Sequence, residues 1–299
     1  MDVRDLEVFL SVAKHLSFTR AGEEVHLSQP SVSVRIRQLE EGLGVKLFEQ
    51  AGKKVALTEA GRLLEPCARR VVVAIEDAQH SMEEYRGLER GSLRIGASTT
   101  PGMYLVPRII ARFKHRYPGI KIHLAINDTR SIEQKVIGHE FDFGFVGGHL
   151  ISGELEILPW LTDEIVLVMP PGHPLARKRQ AKLRDLSGEQ FIFREHGSAT
   201  QAAVGDKLQT AGFQLETVME MGNPEALKQA VQSGLGVAFL SKFAIEAELK
   251  AKTLTAVKVQ DFDVRRELRI VYRKDKHIHR AAKAFIEMAR EKPGLSTER

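Results

Sequence analysis

The sequence predicts an α + α/β chain in three parts: a small helical module closed by a hairpin, one long helix, and a two-lobed α/β unit. Three observations predict it. Apolar residues recur at helical spacing across residues 4–43. A three-four seam then runs from Leu64 to Leu88. Beyond Gly91, strand-like and helix-like runs alternate to the end of the chain.

The 299 residues suit about two domains at roughly 100–200 residues each. Hydrophobic content of 43% and charged content of 28% are ordinary for a globular protein. The single cysteine, Cys67, excludes an internal disulfide and multi-cysteine metal sites, and a reducing compartment is the expectation. The opening "MDVRDLEVFL" lacks the basic start and apolar core of a signal peptide, and no apolar run nears the ~18 residues of a membrane span. A cytoplasmic location follows as an expectation. The net charge of +5 is unevenly spread. Residues 1–60 hold eight basic and nine acidic side chains, whereas residues 263–299 hold eleven and six. Bulk charge therefore says nothing about nucleic-acid binding at the N-terminus, which must be argued from local arrangement.

Leu6, Phe9, Leu10, Ala13 and Leu16 predict a first amphipathic helix from about Arg4 to His15. Ser17 or Thr19 can cap a second through about Val25, with Gly22 permitting close packing. Ser28 is a good N-cap for a third, and Pro30 suits a first turn. Val32, Val34 and Ile36 alternate like a strand, but the alternation stops at Arg37, while the stripe Val32, Ile36, Leu39, Leu43 continues for three turns. The helix reading wins on length. It turns Val34 and Arg37 outward, with Gln29 and Ser33 on one flank and Ser31 and Gln38 on the other. Gly42 and Gly44 break the chain before two short strands, Val45–Glu49 and Val55–Leu57, around an "AGKK" tip. Two helices, a turn, a third helix and a basic hairpin make a winged helix-turn-helix. In such a fold the third helix enters the major groove, where base edges are distinguishable, and the wing meets phosphate. The candidate DNA contacts are Gln29, Pro30, Ser31, Ser33, Val34 and Arg37 on the helix and Lys53 and Lys54 on the wing. A three-helix packing module with a solvated polar face is the plain alternative.

Residues 6–49, "LEVFLSVAKHLSFTRAGEEVHLSQPSVSVRIRQLEEGLGVKLFE", followed by "LTEAG" at 57–61, resemble the N-terminal signature of LysR-type transcriptional regulators. Two departures stand out. Gln50 sits where the family usually has Arg, and the common Ala-Ala pair of the second helix is Ala21-Gly22.

Thr58 can cap the long helix, expected to reach about Leu88, with Pro66 bending it. Leu64, Cys67, Val71, Ala74, Ala78, Ser81, Tyr85 and Leu88 form its seam. The resemblance implies that this linker pairs two subunits, usually within a tetramer, so that two recognition helices read a two-fold related operator. Cys67 reads as a small seam residue.

Farther on, Leu93–Ala97, Lys121–Ile126 and Phe141–Val146 read as strands, with helices Pro101–Arg116 and Ser131–Gly138 between them. The rhythm restarts with Glu164–Met169, Phe191–Phe193, a helix from Thr200, Thr217–Met221, a helix from Pro224, and Val237–Leu240. Strand Leu268–Tyr272 and helix Arg280–Arg290 close the chain. This predicts a parallel sheet covered by helices, in two lobes. The expected divisions are 1–58 for DNA binding, 59–89 for the linker, and 90–299 for effector binding. Lobe I takes about 90–162 and 266–299, and lobe II about 163–265. This part resembles the effector domain of the same regulators, itself like type 2 periplasmic binding proteins.

In open α/β sheets a ligand lies beyond the carboxyl ends of the strands. "GASTTPG" is such an end, with Ser98, Thr99 and Thr100 before Pro101; "FREHGSAT" brings Arg194, Ser198 and Thr200 ahead of a helix. Asn127 and Thr129 follow one strand, and Asn223 precedes Pro224. Helix N-termini suit anions, so a small oxyanion or carboxylate co-inducer is expected, with no other cofactor. Each hydroxyl alone could be a plain N-cap worth ~1 kcal/mol.

Other constellations do not point to catalysis or metal. His277 and His279, His139-Glu140, "GLGV" at 234–237 and the basic "RKRQAKLR" at 177–184 lack the spacings of ligand or phosphate motifs. No G-x-S-x-G, P-loop or H-E-x-x-H occurs. The leading expectation is a DNA-binding regulator that responds to a metabolite and is not an enzyme. The alternative is a cytoplasmic solute-binding protein whose N-terminal module serves only assembly.

Overall fold

The computed structural model describes residues 1–51, 54–85, 91–148, 150, 152–178, 180–275 and 278–291. The chain divides into two compact units between residues 87 and 88.

The N-terminal unit begins with α1 (Val3–His15), opened by a capping box in which Asp2 and Asp5 each accept the other's backbone N–H. Ser17 caps α2 (Phe18–Val25) and Ser28 caps α3 (Gln29–Leu43), each accepting the amide three residues on. These caps satisfy helix-end donors that otherwise have no partner. Leu6, Phe9, Val12, Ala21, Val32, Ile36 and Leu39 fill one shared core. A Cβ on Gly22 would lie 2.5 Å from the Leu27 carbonyl oxygen, so glycine allows the α2–α3 turn to close against the helix. Leu43 leaves the expected stripe: it is 38% exposed, beyond the last core contact at Leu39.

The hairpin is β1 (Phe48–Ala51) paired antiparallel with β2 (Lys54–Leu57). β1 starts three residues later than the pattern suggested. The buried Glu40 carboxylate accepts the Leu47 amide at 2.9 Å and the Lys46 ammonium at 2.7 Å, so residues 45–47 form the exit turn of α3. Thr58 accepts the Gly61 amide and opens α4 (Glu59–Tyr85), which contains Pro66. Leu64, expected on the pairing seam, packs with Ala68 and Val72 against the N-terminal core. The expected continuation of α4 to Leu88 lies outside the described residues.

The C-terminal unit opens with β3 (Gly91–Ser98), followed by a helical segment with a wide π turn, Pro101–Leu105, that runs into α5 (Val106–Arg116). Then come β4 (Ile120–Asn127), α6 (Thr129–Ile137), β5 (Phe143–Gly147) and the long β6 (Leu155–Met169). A short β7 (Gln180–Ala181) precedes β8 (Gln190–Arg194), α7 (Ala199–Thr210), β9 (Glu216–Met221), α8 (Pro224–Gln232), β10 (Ala238–Ser241) and α9 (Glu246–Ala251). Then follow β11 (Thr255–Val259), β12 (Val264–Arg273) and α10 (Arg280–Arg290).

The expected parallel sheet is instead mixed. β3 runs parallel to β4 and β5, but β12 is antiparallel to β5 and β6, and β6 is antiparallel to β10 and β11. One sheet runs in the order β4-β3-β5-β12-β6-β11-β7, with β10 also on β6, while β8 and β9 form a separate parallel pair. The reversal arises because β6 carries the chain from one lobe to the other and β12 returns beside it, pairing from Val264↔Ile165 to Arg273↔Leu155. Each lobe keeps its own core, one around Ile95, Phe113, Phe143 and Phe285, the other around Leu167, Phe191, Phe239 and Phe262. No described helix is long and apolar enough to cross a membrane.

Candidate functional site

Two regions gather the residues singled out above. The first is the outer face of α3. Gln29, Pro30, Ser31, Val34 and Arg37 are exposed and Ser33 is half-buried, while Val32, Ile36 and Leu39 face the core. Ser33 accepts the Gln29 amide at 2.9 Å, and the Ser28 and Ser31 hydroxyls lie 2.8 Å apart. Val34 is 49% exposed. A methyl-rich side chain facing water beside Ser33 and Arg37 suits contact with thymine methyls in a groove. Arg35, two residues before Arg37, turns inward to Asp5 at 2.8 Å. The wing strand at Lys54 is described without its side chain, and Lys53 lies outside the described residues.

The second region lies in the C-terminal unit, where β12 and the carboxyl ends of β3 and β8 meet the first turns of α6 and α7. A cavity of about 20 Å³ is lined by Ser98, Thr99, Thr100, Thr129, Arg194, Ser198, Thr200 and Arg266, with Asp128 and Glu195 also present. Residues 100 positions apart in sequence thus share one small polar space. A wider cavity of about 520 Å³ adjoins it, sharing Thr129, Gly197, Ala199 and Arg266, and its walls carry Arg130, Lys207, Arg265 and Arg269 together with Glu133, Asp206 and Glu267.

The hydroxyls are not spent on ordinary caps. Ser198 occupies the N-cap position of α7 with no side-chain cap bond, and Thr100 likewise makes none. Ser98 accepts the Gly147 amide at 3.2 Å, and Thr129 donates to the Gly147 carbonyl at 2.6 Å, so both hydroxyls clasp the end of β5. Asn223 does act as a cap, accepting the Ala226 amide at 2.8 Å. Neither Asn223 nor Asn127 lines either cavity.

Arg194 is buried and forms two hydrogen bonds to its neighbour Glu195, at 2.6 and 2.7 Å. Its charge is therefore largely compensated. Arg266, which sequence reasoning passed over, is a second cation lining this pocket, with its side chain 7% exposed. It donates to Thr100 Oγ1 at 2.9 Å and pairs with Asp163 at 2.8 Å. Burial pushes the Asp163 carboxyl up, and the Arg266 charge opposes that. Asp163 is fully buried and also accepts the Ser241 hydroxyl at 2.7 Å. Reading β12 four residues too late left Arg266 outside the strand. The alternation Val264, Arg266, Leu268, Ile270 carried the missing signal.

A winged helix-turn-helix joined to a two-lobed α/β unit with a polar pocket defines a DNA-binding regulator of the ligand-responsive class. Residues 3–62 match the model of the bacterial regulatory helix-turn-helix protein, lysR family, and residues 86–294 match the LysR substrate binding domain. The chain belongs to the LysR family of transcriptional regulators. It is 39% identical to the RuBisCO operon transcriptional regulator of Allochromatium vinosum, across 96% of this chain and 95% of that one. Among solved structures it is similar to full-length OxyR from Pseudomonas aeruginosa, with TM-score 0.75 and 25% identity over 99% of this chain and 95% of that one. The CcmR regulatory domain of Synechocystis PCC6803, in complex with 2-PG (2-phosphoglycolate), matches with TM-score 0.65 and 27% identity, over 69% of this chain and 99% of that one.

Proposed function

We propose that this regulator senses a small phosphorylated or carboxylated anion of the 2-phosphoglycolate kind in the Ser/Thr pocket of its C-terminal unit. The observation that carries the reading is the convergence of Ser98, Thr99, Thr100, Thr129, Ser198 and Thr200 with Arg194 and Arg266 on one cavity. Hydroxyls and helix N-termini are donors, and donors suit oxyanions. The Thr129 proton goes to the Gly147 carbonyl, and Arg194 and Arg266 are paired with Glu195 and Asp163, so the free donors are the other Ser and Thr hydroxyls. The ligand of the CcmR domain supports the same chemistry. The adjoining cavity of about 520 Å³ has room for the rest of such a molecule, and Arg130 and Lys207 face it from α6 and α7.

On this reading the outer face of α3 contacts base edges and the wing lysines meet phosphate. Two subunits paired through α4 present two such helices to a two-fold related operator, within a tetramer. The protein works in the cytoplasm, where its DNA is, as a sensor without a catalytic step; the roles of its relatives support this.

One titration tests the sensing role. Thermal unfolding is followed against 2-phosphoglycolate, with inorganic phosphate and glycolate as controls. At 100 times its dissociation constant a ligand adds about 2.7 kcal/mol to stability. A rise in Tm with 2-phosphoglycolate that Ser98→Ala combined with Thr100→Ala abolishes is the expected result. An undiminished rise in that double variant moves the site elsewhere.

A further inference from the structure

The pocket is one station on a closed ring of polar contacts. Arg266 holds Thr100 on one side and Asp163 on the other, and Asp163 accepts from Ser241 at the end of β10. Three residues on, across the turn Lys242–Ile245, the Ala244 carbonyl accepts from Lys228 Nζ at 2.9 Å. Lys228 also pairs with Glu225 at 2.9 Å and Glu248 at 2.7 Å, and lies 5.3 Å from the centre of the Tyr104 ring. Tyr104 donates its hydroxyl to Glu225 at 2.6 Å. From Tyr104 the π turn leads directly back to Thr100.

The interior groups of the ring are costly to bury, whereas its lobe-crossing Tyr104–Glu225 bond is exposed. Asp163 is 0%, Ser241 1%, Lys228 4% and Thr100 5% exposed. All three ammonium hydrogens of Lys228 have an acceptor, as a buried ammonium requires. Tyr104 and Thr100 belong to the lobe built on β3; Glu225, Lys228, Ser241 and Glu248 belong to the other. Arg108 on α5 adds a parallel strap to Glu246 at 2.9 Å. π turns inside helices are rare and frequently lie at functional sites.

We propose that this ring is a latch between the lobes, coupled to the anion pocket through the π turn, and that it opposes effector entry. The proposal rests on the reading of Ser98–Thr100 as the effector site. The sign follows from size. A cavity of about 20 Å³ holds about one water molecule. The rest of an anion can lie in the adjoining cavity, but a phosphoryl or carboxylate group held between Ser98–Thr100 and Ser198–Thr200 needs these two turns to separate. Thr100 cannot shift without loading its bond to Arg266 and, through the π turn, the Tyr104–Glu225 bond. A ligand that favours one arrangement is bound more tightly when contacts holding the other are weakened.

The test uses the full chain and three variants of similar side-chain size: Tyr104→Phe, Glu225→Met and Ser241→Ala. The first readout needs no ligand. Hydrogen exchange across residues 98–103 should quicken about two- to fivefold in Glu225→Met, which leaves Tyr104 without its carboxylate acceptor although that residue sits in the other lobe. Unchanged exchange overturns the latch whatever the effector is. The second readout is affinity for 2-phosphoglycolate by calorimetry. Tyr104→Phe and Ser241→Ala should each tighten binding about two- to fivefold, and the double variant by less than the product of the two, since both remove members of one linked network. Unchanged, weakened or additive affinities overturn the coupling. If the wild-type chain ignores 2-phosphoglycolate while exchange quickens, the effector reading fails and the latch holds.

Discussion

Arg35 and Arg37 show how two identical side chains two positions apart take opposite work. On a helix they are separated by about 200°. Arg35 is tied to Asp5 of α1 and helps fix the angle between the helices, whereas Arg37 is exposed beside Val34. Arg37→Ala should weaken operator binding ten- to hundredfold, in line with ~1–3 kcal/mol for a direct base contact. Its urea midpoint should be unchanged; retained operator affinity in a gel-shift titration would count against this face of α3. Glu24 offers a second test. Burial alone would raise its carboxyl pKa, but bonds from Lys14 and Ser11, with the Lys14 charge, bring it down to about 2. A depressed folded pKa means that the stabilisation is complete above the ordinary value of 4.5 and is lost as pH falls toward 2. The side chain is 39% exposed, so solvent screening limits the benefit to about 1 kcal/mol. Glu24→Gln should lower stability by that amount at pH 7, and the deficit should shrink as unfolding is measured at successively lower pH.

α4 has two different apolar faces, and among the described residues one of them packs on the N-terminal core. Leu64, Ala68 and Val72 pack on the N-terminal core, while Cys67, Val71, Ala74 and Ala78 are exposed. Exposed small and apolar residues at three-four spacing suit a second helix. Val71→Asp should lower dimer affinity at least tenfold in sedimentation analysis while leaving the N-terminal fold intact; an unshifted dimer would place the pairing face elsewhere. The contrast also shows what the sequence encodes at this scale. Helices α1–α3 were readable because Ser17, Ser28 and the Val32–Leu39 stripe are local signals. The two Ser/Thr turns were readable for the same reason. Strand direction was not, because no local pattern says whether β12 returns parallel or antiparallel to β6. The compensation of Arg194 by Glu195 and the burial of Arg266 on Asp163 depend on that tertiary arrangement, so the charge balance of the pocket became visible only with it.

At the scale of the whole molecule, regulation requires that occupancy of the pocket change operator affinity. Linkage then fixes a reverse effect of equal size: if the effector changes operator affinity by some factor, operator DNA changes effector affinity by the same factor. Coupling of ~1–3 kcal/mol corresponds to about 5- to 150-fold. Calorimetric affinity for 2-phosphoglycolate, measured with and without saturating operator duplex, should therefore shift by the factor that 2-phosphoglycolate imposes on operator binding at the same salt. Salt must be held constant because phosphate contacts make DNA affinity fall steeply with ionic strength. A direct route from effector to DNA, such as competition of a phosphate-bearing ligand for the wing lysines, would mimic the loss of operator affinity. It would be unaffected by Ser98→Ala with Thr100→Ala, whereas coupling through the pocket disappears in both directions in that variant. Equal factors in the wild type that both fall to one in the variant are the expected outcome. A one-way effect, or one that survives the variant, would separate ligand binding in the C-terminal unit from control of DNA.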